Sequence, residues 1–367
     1  MSIKASVPWF AKIGAKIVLS RLPVPYRVWS KLAIFKHGPM ADPAYAIGVF
    51  EAHWAERAPA VPLDGFVGLE VGPGNSLVSA LVASAFGART TYLVDTGRFA
   101  DAPLETYREA ATLLGERGMC VPDISLASTV DEVLRSVGGI YLDGGVGSLR
   151  QLPDASVDFV WSQAVLEHVR RAELAPLMSE LHRVLRPGCT SSHRIDLRDH
   201  LADALNNLRF SDRVWESPLM ADSGFYTNRI QLREMVALFE RSGFDVALPR
   251  VDRWTALPTG REKLAPRFRI LPDEDLLVRG FNVVLAKATV ADEDSRTPSA
   301  AAVGRYQGDQ PPVLGPSPVS HSSSSAIRRG RAGDQHGAAA PSGAAPVQDP
   351  RFHPASATRA ARAARTG

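Results

Sequence analysis

Residues 66–82 read FVGLEVGPGNSLVSALV, and no other stretch restricts the fold of this chain as strongly. An apolar run that holds a single acid, Glu70, indicates a strand. The run breaks at the sequence GPGN, residues 72–75, and apolar residues then return at helical spacing. The segment therefore predicts a strand, a tight glycine turn, and a helix whose N-terminus leads out of the turn.

The glycine turn has the features of a ligand cradle. Gly72 and Gly74 lack a Cβ atom, so they permit positive φ angles and a close approach of a ligand to the backbone. The N-terminus of the following helix offers unpaired N–H groups and a positive dipole end, which suit a carboxylate or a phosphate. The dinucleotide fingerprint requires a third small residue where this chain has Leu77, and the phosphate loop requires a lysine that does not follow the turn. Both phosphate-binding classes are therefore disfavoured, and a plain strand–helix connection remains an alternative.

Asp95 ends the apolar segment TTYLV and lies about twenty residues beyond the glycine turn. A carboxylate at the tip of a second strand can accept hydrogen bonds from both hydroxyl groups of a ribose. The alternative is an ordinary loop aspartate that caps the next element. The combination with the glycine turn favours the ribose interpretation.

Between residues 61 and 290, apolar runs alternate with helical patterns, as in a series of βαβ units. This alternation predicts a doubly wound, mostly parallel, Rossmann-like sheet of seven strands, in which ligands bind at the carboxyl ends of the strands. The predicted strands are 65–71, 90–94, 140–143, 157–162, 190–197, 244–248 and 280–287.

Two flanking regions differ in composition from this central domain. Residues 1–60 are basic and aromatic, and they are interpreted as a helical cap over the ligand site. Weak peripheral contact with an anionic membrane through this N-terminus is the alternative, disfavoured because Pro8, Pro23 and Pro25 interrupt any long amphipathic helix. Residues 291–367 are rich in Ala, Ser, Pro, Gly and Arg, which predicts a disordered tail.

The overall composition disfavours several classes of function. A net charge of +3 in 367 residues is too close to balance to indicate nucleic acid binding. No apolar run approaches the roughly 20 residues of a membrane span, and no secretory signal peptide is expected. Cys120 and Cys189 have neither disulfide nor metal spacing and suit a reducing compartment. A cytoplasmic location is expected, while the oligomeric state is left open.

Residues 148–189 complete an ordered set of motifs. In chain order the set is EVGPG (70–74), Asp95, LPD (152–154), VDF (157–159), LEH (166–168) and LHRVLRPG (181–188). This set resembles the class I S-adenosylmethionine-dependent methyltransferases, specifically the type 11 methyltransferase domain. The resemblance covers residues 65–190 and continues more weakly to about residue 290.

The resemblance implies S-adenosylmethionine as cofactor and assigns its contacts. Glu70 and the backbone of the turn would hold the methionyl amine and carboxylate, and Asp95 would hold the ribose. Ser148 and Leu149 would lie beside the adenine, and Ser162 and Gln163 beside the sulfonium. The implied cofactor contacts are therefore Glu70, Gly72, Pro73, Gly74, Asn75, Asp95, Ser148, Leu149, Ser162 and Gln163. Many members of the family carry an aspartate where this chain has Ser148.

Transfer of a sulfonium methyl group is an in-line displacement that expels a neutral thioether, so the protein's main task is alignment. A base is needed only where the acceptor must lose a proton. His168, Asp199 and His200 are the candidates. The alternatives are a packing role for His168, a turn cap for Asp199 and a surface position for His200. Some related O-methyltransferases bind a metal through a Glu-x-x-x-Glu-His motif, which would correspond here to Gln163, Glu167 and His168. A metal site is disfavoured because glutamine replaces the first glutamate of that motif.

Residues 208–226 form an insertion that, in this fold class, commonly covers the methyl acceptor. Trp215, Tyr226 and Asn228 are therefore candidate acceptor contacts, with ordinary core packing as the alternative. A small molecule or a glycan/lipid intermediate is the expected acceptor, methylated preferentially on oxygen. The competing functions are a nicotinamide-dependent oxidoreductase, disfavoured by Leu77, and a degenerate non-catalytic module, disfavoured by the retained acids and glycines.

Overall fold

The computed structural model describes residues 39–199 and 202–289, together with Phe10, Ile13 and Gly14. Within these residues the chain forms a mixed sheet of seven strands with helices packed against it. The strands are β1 (Phe66–Val71), β2 (Ala88–Val94), β3 (Gly139–Leu142), β4 (Val157–Gln163), β5 (Leu185–Asp196), β6 (Phe244–Arg253) and β7 (Val278–Lys287). The α-helices are α1 (Pro43–Trp54), α2 (Val78–Ala85), α3 (Leu104–Glu116), α4 (Val130–Ser136), α5 (Val146–Leu149), α6 (Arg171–Val184), α7 (Asp212–Trp215), α8 (Pro218–Ala221), α9 (Leu232–Arg241), α10 (Pro266–Arg269) and α11 (Asp273–Leu276). Three short 3-10 turns cover Pro39–Ala41, Asn206–Arg209 and Arg261–Lys263.

The strands that the sequence predicts are all present, and the largest boundary differences concern β5 and β6. β5 begins at Leu185 rather than near residue 190, because Leu185 pairs with Val157 of β4. β6 extends to Arg253 because its last residues pair with β7, where Arg253 lies opposite Val278. Both extensions depend on a neighbouring strand rather than on local composition.

The strand order is β3-β2-β1-β4-β5-β7-β6. The strands from β3 to β5 run parallel to one another, whereas β7 is antiparallel to both of its neighbours. The order reverses between β1 and β4, and ligands of open α/β sheets bind beyond the carboxyl ends of the strands at such a switch point. The predicted fold class, a doubly wound and mostly parallel sheet, is confirmed.

Helix α1 lies over the two strands that flank the switch point. The side chain of Asp42 caps its N-terminus by accepting hydrogen bonds from two backbone N–H groups of the first turn. The ring of Trp54 lies 4.5 Å from that of Phe66 on β1, and the ring of Phe50 lies 5.1 Å from that of Trp161 on β4. Aromatic packing therefore holds this part of the predicted N-terminal cap against the centre of the sheet.

The connection between β5 and α9 contains an apolar group of its own, called here the insertion cluster. Its buried members are Ile13, Trp215, Met220, Ala221, Phe225 and Tyr226. Ile13, which precedes α1 in the chain, therefore contacts the insertion.

Several predicted features lie outside the described residues. These are the tail at residues 291–367, His200, and most of residues 1–38. The domain limits at residues 60 and 290 stay predictions. In the part of the chain that the structure describes, no helix has the length and apolar character needed to cross a membrane. Cys120 is exposed, Cys189 is buried, and both are free thiols.

Candidate functional site

The glycine turn lies at the carboxyl end of β1 and contacts the end of β4. Gly72 and Gly74 have φ angles of +70° and +72°, which favour glycine at both positions. A Cβ atom on Gly72 would lie 2.7 and 2.8 Å from the two Cγ atoms of Val165, just beyond β4. Glycine is therefore required at position 72 both for its backbone conformation and for the contact that joins the tips of the two strands.

Asp95 connects the tip of β2 to this turn. Its side chain is 3 % exposed, with Oδ1 accepting the Thr96 N–H at 2.7 Å and Oδ2 accepting the Gly74 N–H at 3.4 Å. Burial raises the pKa of Asp95 to about 8. Because a carboxylate can accept about four hydrogen bonds, Asp95 retains capacity for a ligand with two hydroxyl groups.

Glu70 is a second buried acid beside the turn. It is 1 % exposed, and it accepts hydrogen bonds from the Ser79 hydroxyl on α2 and from the indole of Trp161. Burial raises the pKa of Glu70 to about 7, and the charge of Glu70 contributes to the raised pKa of Asp95. Two adjacent acids whose negative charges are disfavoured by burial form a site that a cationic ligand stabilises.

Asn75 contributes an unsatisfied acceptor to the same turn. Its side-chain Oδ1 is buried and has no hydrogen-bond partner, whereas its carbonyl oxygen accepts the N–H groups of Asp101 and Ala102, both at 3.0 Å. A buried acceptor without a partner costs free energy unless a ligand supplies a donor. A nucleoside that carries an amino acid has ammonium and hydroxyl groups that would supply such donors. The residues at this turn therefore fit a ligand of that class.

The N-terminus of α2 differs from the sequence-based expectation of unpaired N–H groups. The N–H of Leu77 donates to the hydroxyl of Tyr107 at 3.0 Å, and the N–H of Val78 donates to Ser76 Oγ at 3.4 Å. Polar side chains of the protein therefore use part of the hydrogen-bonding capacity that the sequence suggested for a ligand. Pro73 is buried within the turn itself.

The segment that contains Ser148 and Leu149 lies beside Asp95. The N–H of Gly145 donates to the carbonyl oxygen of Asp95 at 2.7 Å, and this contact holds α5 next to the tip of β2. Ser148 Oγ accepts the N–H of Gly144 at 3.0 Å, and Leu149 is fully buried. The structure thus brings the predicted adenine-flanking segment to the predicted ribose-binding acid.

Ser162 and Gln163, the last two residues of β4, point in different directions. Ser162 is fully buried, and its hydroxyl lies 2.7 Å from His193 Nδ1 on β5. The hydroxyl of Ser162 is thus paired inside the sheet, and the place of this residue beside the sulfonium stays a prediction. Gln163 is half-buried at the strand tip, where Oε1 lies 3.2 Å from Nε2 of His53.

His168 lies in the turn between β4 and α6, where it contacts Tyr226 of the insertion. The ring is buried, and Nδ1 lies 2.8 Å from the carbonyl oxygen of Tyr226. Because a carbonyl oxygen can only accept, Nδ1 carries a proton in this contact. Nε2 is then the nitrogen through which the ring could exchange a proton.

Asp199 accepts four hydrogen bonds from the loop that follows it. Oδ1 accepts the N–H groups of Ala202 and Ala204 at 2.7 and 3.2 Å. Oδ2 accepts the backbone N–H and side-chain Nδ2 of Asn206 at 2.8 and 2.6 Å. These four hydrogen bonds cap the loop, and because His200 lies outside the described residues, the acid–imidazole pair of Asp199 and His200 stays a prediction.

The three predicted acceptor contacts are placed inside the protein rather than on the walls of a cleft. Trp215 is fully buried, with its indole N–H donating to the carbonyl oxygen of Thr227 at 2.7 Å. The hydroxyl of Tyr226 donates to Glu216 at 2.8 Å, and Nδ2 of Asn228 donates to the carbonyl oxygen of Leu166 at 2.8 Å. Their polar atoms are paired within the fold, so their role as acceptor contacts does not fit this arrangement.

No group of three or more His, Cys, Asp or Glu side chains is arranged to hold a metal ion among the residues with described positions. Sequence reasoning missed three residues that shape the site: His53, Tyr107 and Val165. Tyr107 and Val165 could have been suspected only from apolar spacing, which does not reveal what each side chain touches. His53 contacts β4 and β5 from a helix more than a hundred residues away, and nothing local marks it.

Residues 69–191 match the family described as methyltransferase domain. A comparison with curated proteins finds no match. Similar solved structures include a SAM-dependent methyltransferase from Methanosarcina mazei, at 15 % identity over 66 % of this chain and 97 % of that chain, with a TM-score of 0.38. The YcgJ protein from Bacillus subtilis has 15 % identity over 67 % of this chain and 99 % of that chain, with a TM-score of 0.36. An arsenic(III) S-adenosylmethionine methyltransferase from Chlamydomonas reinhardtii has 17 % identity over 76 % of this chain and 74 % of that chain, with a TM-score of 0.37.

Proposed function

We propose, from the match of residues 69–191 to the methyltransferase domain family, that the chain methylates a small-molecule or glycan/lipid acceptor, preferentially on oxygen. The proposed cofactor is S-adenosylmethionine. The observation that carries the proposal is the meeting of Glu70, Asp95 and the unsatisfied Asn75 at the glycine turn.

When bound, S-adenosylmethionine supplies an electrophilic methyl group on a positively charged sulfur whose leaving group is neutral. The protein's contribution is to hold the two reactants in line, which can lower the barrier by about 7–11 kcal/mol. Glu70 and Asn75 are proposed to hold the methionyl end, and Asp95 the ribose. No acid is required to expel the leaving group.

The preference for oxygen is supported by the hydrogen bonding of His168. A hydroxyl acceptor must lose its proton during methylation, and the Nε2 of an imidazole whose Nδ1 is the donor is suited to take it. The hydrogen bond from Nδ1 to the carbonyl oxygen of Tyr226 leaves Nε2 of His168 for that role. We propose His168 as the base, while Asp199 and His200 stay candidates.

Calorimetry with S-adenosylhomocysteine and with NADH tests the proposed cofactor class. The purified chain should bind S-adenosylhomocysteine with measurable heat and NADH more weakly or not at all. Tighter binding of NADH would favour a nicotinamide-dependent oxidoreductase. Absence of heat with either ligand would favour a degenerate, non-catalytic module and overturn the proposal.

Binding of S-adenosylhomocysteine is expected to release protons near neutral pH. Without ligand, the pKa values of about 7 for Glu70 and about 8 for Asp95 keep both acids substantially protonated at pH 7. An ammonium group and two ribose hydroxyls favour the ionised acids, so affinity should rise from about pH 6 to about pH 8 and then level off. The observed enthalpy at pH 7 should therefore differ between phosphate and Tris buffers, which have different ionisation enthalpies.

The same shifts set the stability of the ligand-free protein. Because both folded-state pKa values lie above their ordinary values of 4.5 and 3.8, the acids contribute stability that is fully present only below those ordinary values. This stability is lost progressively as the pH rises to about 7 for Glu70 and about 8 for Asp95. Asp95→Asn should remove the part of the proton release on S-adenosylhomocysteine binding that comes from Asp95. An enthalpy of binding to the unmodified protein that does not depend on the buffer would contradict the assignment of these acids to the ligand.

A further inference from the structure

Helix α1 brings His53 to the tip of β4, although no sequence motif includes that residue. The side chain is 5 % exposed. Its Nδ1 lies 2.8 Å from Ser192 Oγ on β5, and its Nε2 lies 3.2 Å from Gln163 Oε1 on β4. A side chain of the N-terminal region is thus tied to two central strands of the sheet.

The chemistry of these partners determines where the protons lie. The amide oxygen of Gln163 can only accept, so Nε2 of His53 donates to it. Nδ1 is then the acceptor, and the hydroxyl of Ser192 donates to it. Burial lowers the pKa of His53 to about 4, so the ring is neutral at physiological pH. His193 is the titratable group coupled to it, and burial keeps that ring neutral too.

This arrangement leaves the amide nitrogen of Gln163 with two N–H groups to donate. The structure shows no acceptor for them among the residues that it describes. Gln163 is half-buried at the carboxyl end of β4, next to β1 and its glycine turn. The two donors therefore lie at the switch point, where a ligand of this sheet binds.

The backbone beyond Gln163 supports the same placement. Ala164 has a φ angle of +54°, an unfavourable conformation for alanine, and its N–H donates to the carbonyl oxygen of Arg194 at 2.9 Å. Strained residues of this kind gather at functional sites, where the surrounding structure holds them in place. The sharp corner turns the chain so that Val165 packs on Gly72 while Gln163 stays at the edge.

We propose that His53 is a positioning residue that fixes the Gln163 amide so that its two N–H groups contact an oxygen of the methyl acceptor. The positive end of an amide does not favour a sulfonium, and the methionyl end and the ribose of the cofactor are proposed above to contact Glu70, Asn75 and Asp95. These donors are therefore assigned to the acceptor. The acceptor class is then a molecule with a hydroxyl, carboxylate or phosphate oxygen beside the methylated atom. This inference rests on the proposed methyltransferase function.

Nuclear magnetic resonance of the cofactor-free protein labelled with ¹⁵N-histidine tests the positioning step by itself. His53 should have a protonated Nε2 and an unprotonated Nδ1, and it should remain neutral down to about pH 5. If Nδ1 carried the proton instead, Nε2 would accept from the amide nitrogen of Gln163, and the amide oxygen would face the ligand. That result would overturn the proposal. This measurement requires no cofactor, so it is independent of the outcome of the S-adenosylhomocysteine titration.

Three variants test the consequence for Gln163 and for methyl transfer. H53L should shift and broaden the Gln163 side-chain amide signals, which are identified by their loss in Q163E. H53Q, which keeps a donor near the position of Nε2, should restore them. H193L removes an equally buried imidazole that does not contact Gln163, so it controls for loss of stability and should leave these signals in place.

Methyl transfer from labelled S-adenosylmethionine to a polar-metabolite extract supplies the functional readout. H53L should lower transfer by about tenfold, as expected for the loss of one oriented hydrogen bond, while H53Q stays within a few-fold of the unmodified protein. The affinity for S-adenosylhomocysteine should be unchanged in both variants. Equal transfer by H53L and the unmodified protein, or a parallel loss of S-adenosylhomocysteine binding, would overturn the positioning role.

Discussion

Replacing Asp95 with alanine is expected to weaken the binding of S-adenosylhomocysteine by roughly 100-fold at pH 8.5. At that pH the unmodified acid is largely ionised, because its pKa is about 8. Two hydroxyl groups that donate to a carboxylate contribute about 1.5–3 kcal/mol each, and about 3 kcal/mol corresponds to the expected loss of affinity. Isothermal titration calorimetry measures the change directly.

A matched control separates this effect from the general loss of a buried acid. Asp275 is buried in α11 and pairs with Arg233, at 2.9 Å, outside the glycine turn. Asp275→Ala should therefore leave the affinity within about twofold of the original, because no ligand contact is removed. If both variants lost affinity equally, or if Asp95→Ala bound normally, Asp95 would not be the ribose contact.

Replacing Gly72 with alanine is expected to destabilise the fold by about 3 kcal/mol and to abolish measurable cofactor binding. The φ angle of +70° costs about 1–2 kcal/mol for a residue with a Cβ atom. The contacts of 2.7 and 2.8 Å with Val165 add an overpacking cost of about 1–3 kcal/mol. Chemical denaturation in the absence of ligand measures the loss of stability.

Two further variants divide this cost into its parts. The double variant G72A/V165A should recover the part that comes from the clash but not the part that comes from the backbone conformation. Gly115→Ala, in α3, is the matched control, because its Cβ would have no neighbour within 4 Å and its φ angle is not positive. It should stabilise the protein by about 0.5–1 kcal/mol. A stability of Gly72→Ala equal to that of Gly115→Ala would refute the steric explanation.

The part of the site that the sequence predicts well consists of residues close to one another along β1 and β2. The glycine turn and Glu70 belong to one strand–turn–helix segment, and Asp95 ends the next strand. In a parallel sheet, the carboxyl ends of neighbouring strands meet at the same edge, so local patterns were sufficient to place these residues together. Their pairing is seen in the hydrogen bond between Gly74 and Asp95.

The predicted site residues whose polar atoms the structure pairs within the fold are side chains whose surroundings are set by distant segments. By residue type, the aromatic and amide residues in and just after the insertion are candidates for contact with the acceptor. In the structure, however, the buried N–H groups of Trp215 and Asn228 donate to backbone carbonyl oxygens. The hydroxyl of Ser162 similarly finds His193 on the adjacent strand. Sequence spacing shows which residues share an element, and it does not show which polar atoms are already satisfied.

The sequence by itself determined the seven strands, the glycine turn, and the two acids at the predicted cofactor site, since these features depend on residue type and local spacing. Only the tertiary structure placed His53 on Gln163 and Ser192, which are 110 and 139 residues away along the chain. It also placed Val165 against Gly72 and enclosed Trp215 in the insertion cluster. The physical reason is that these contacts form when helices close over the sheet, and the packing of distant side chains leaves no periodic trace in the sequence.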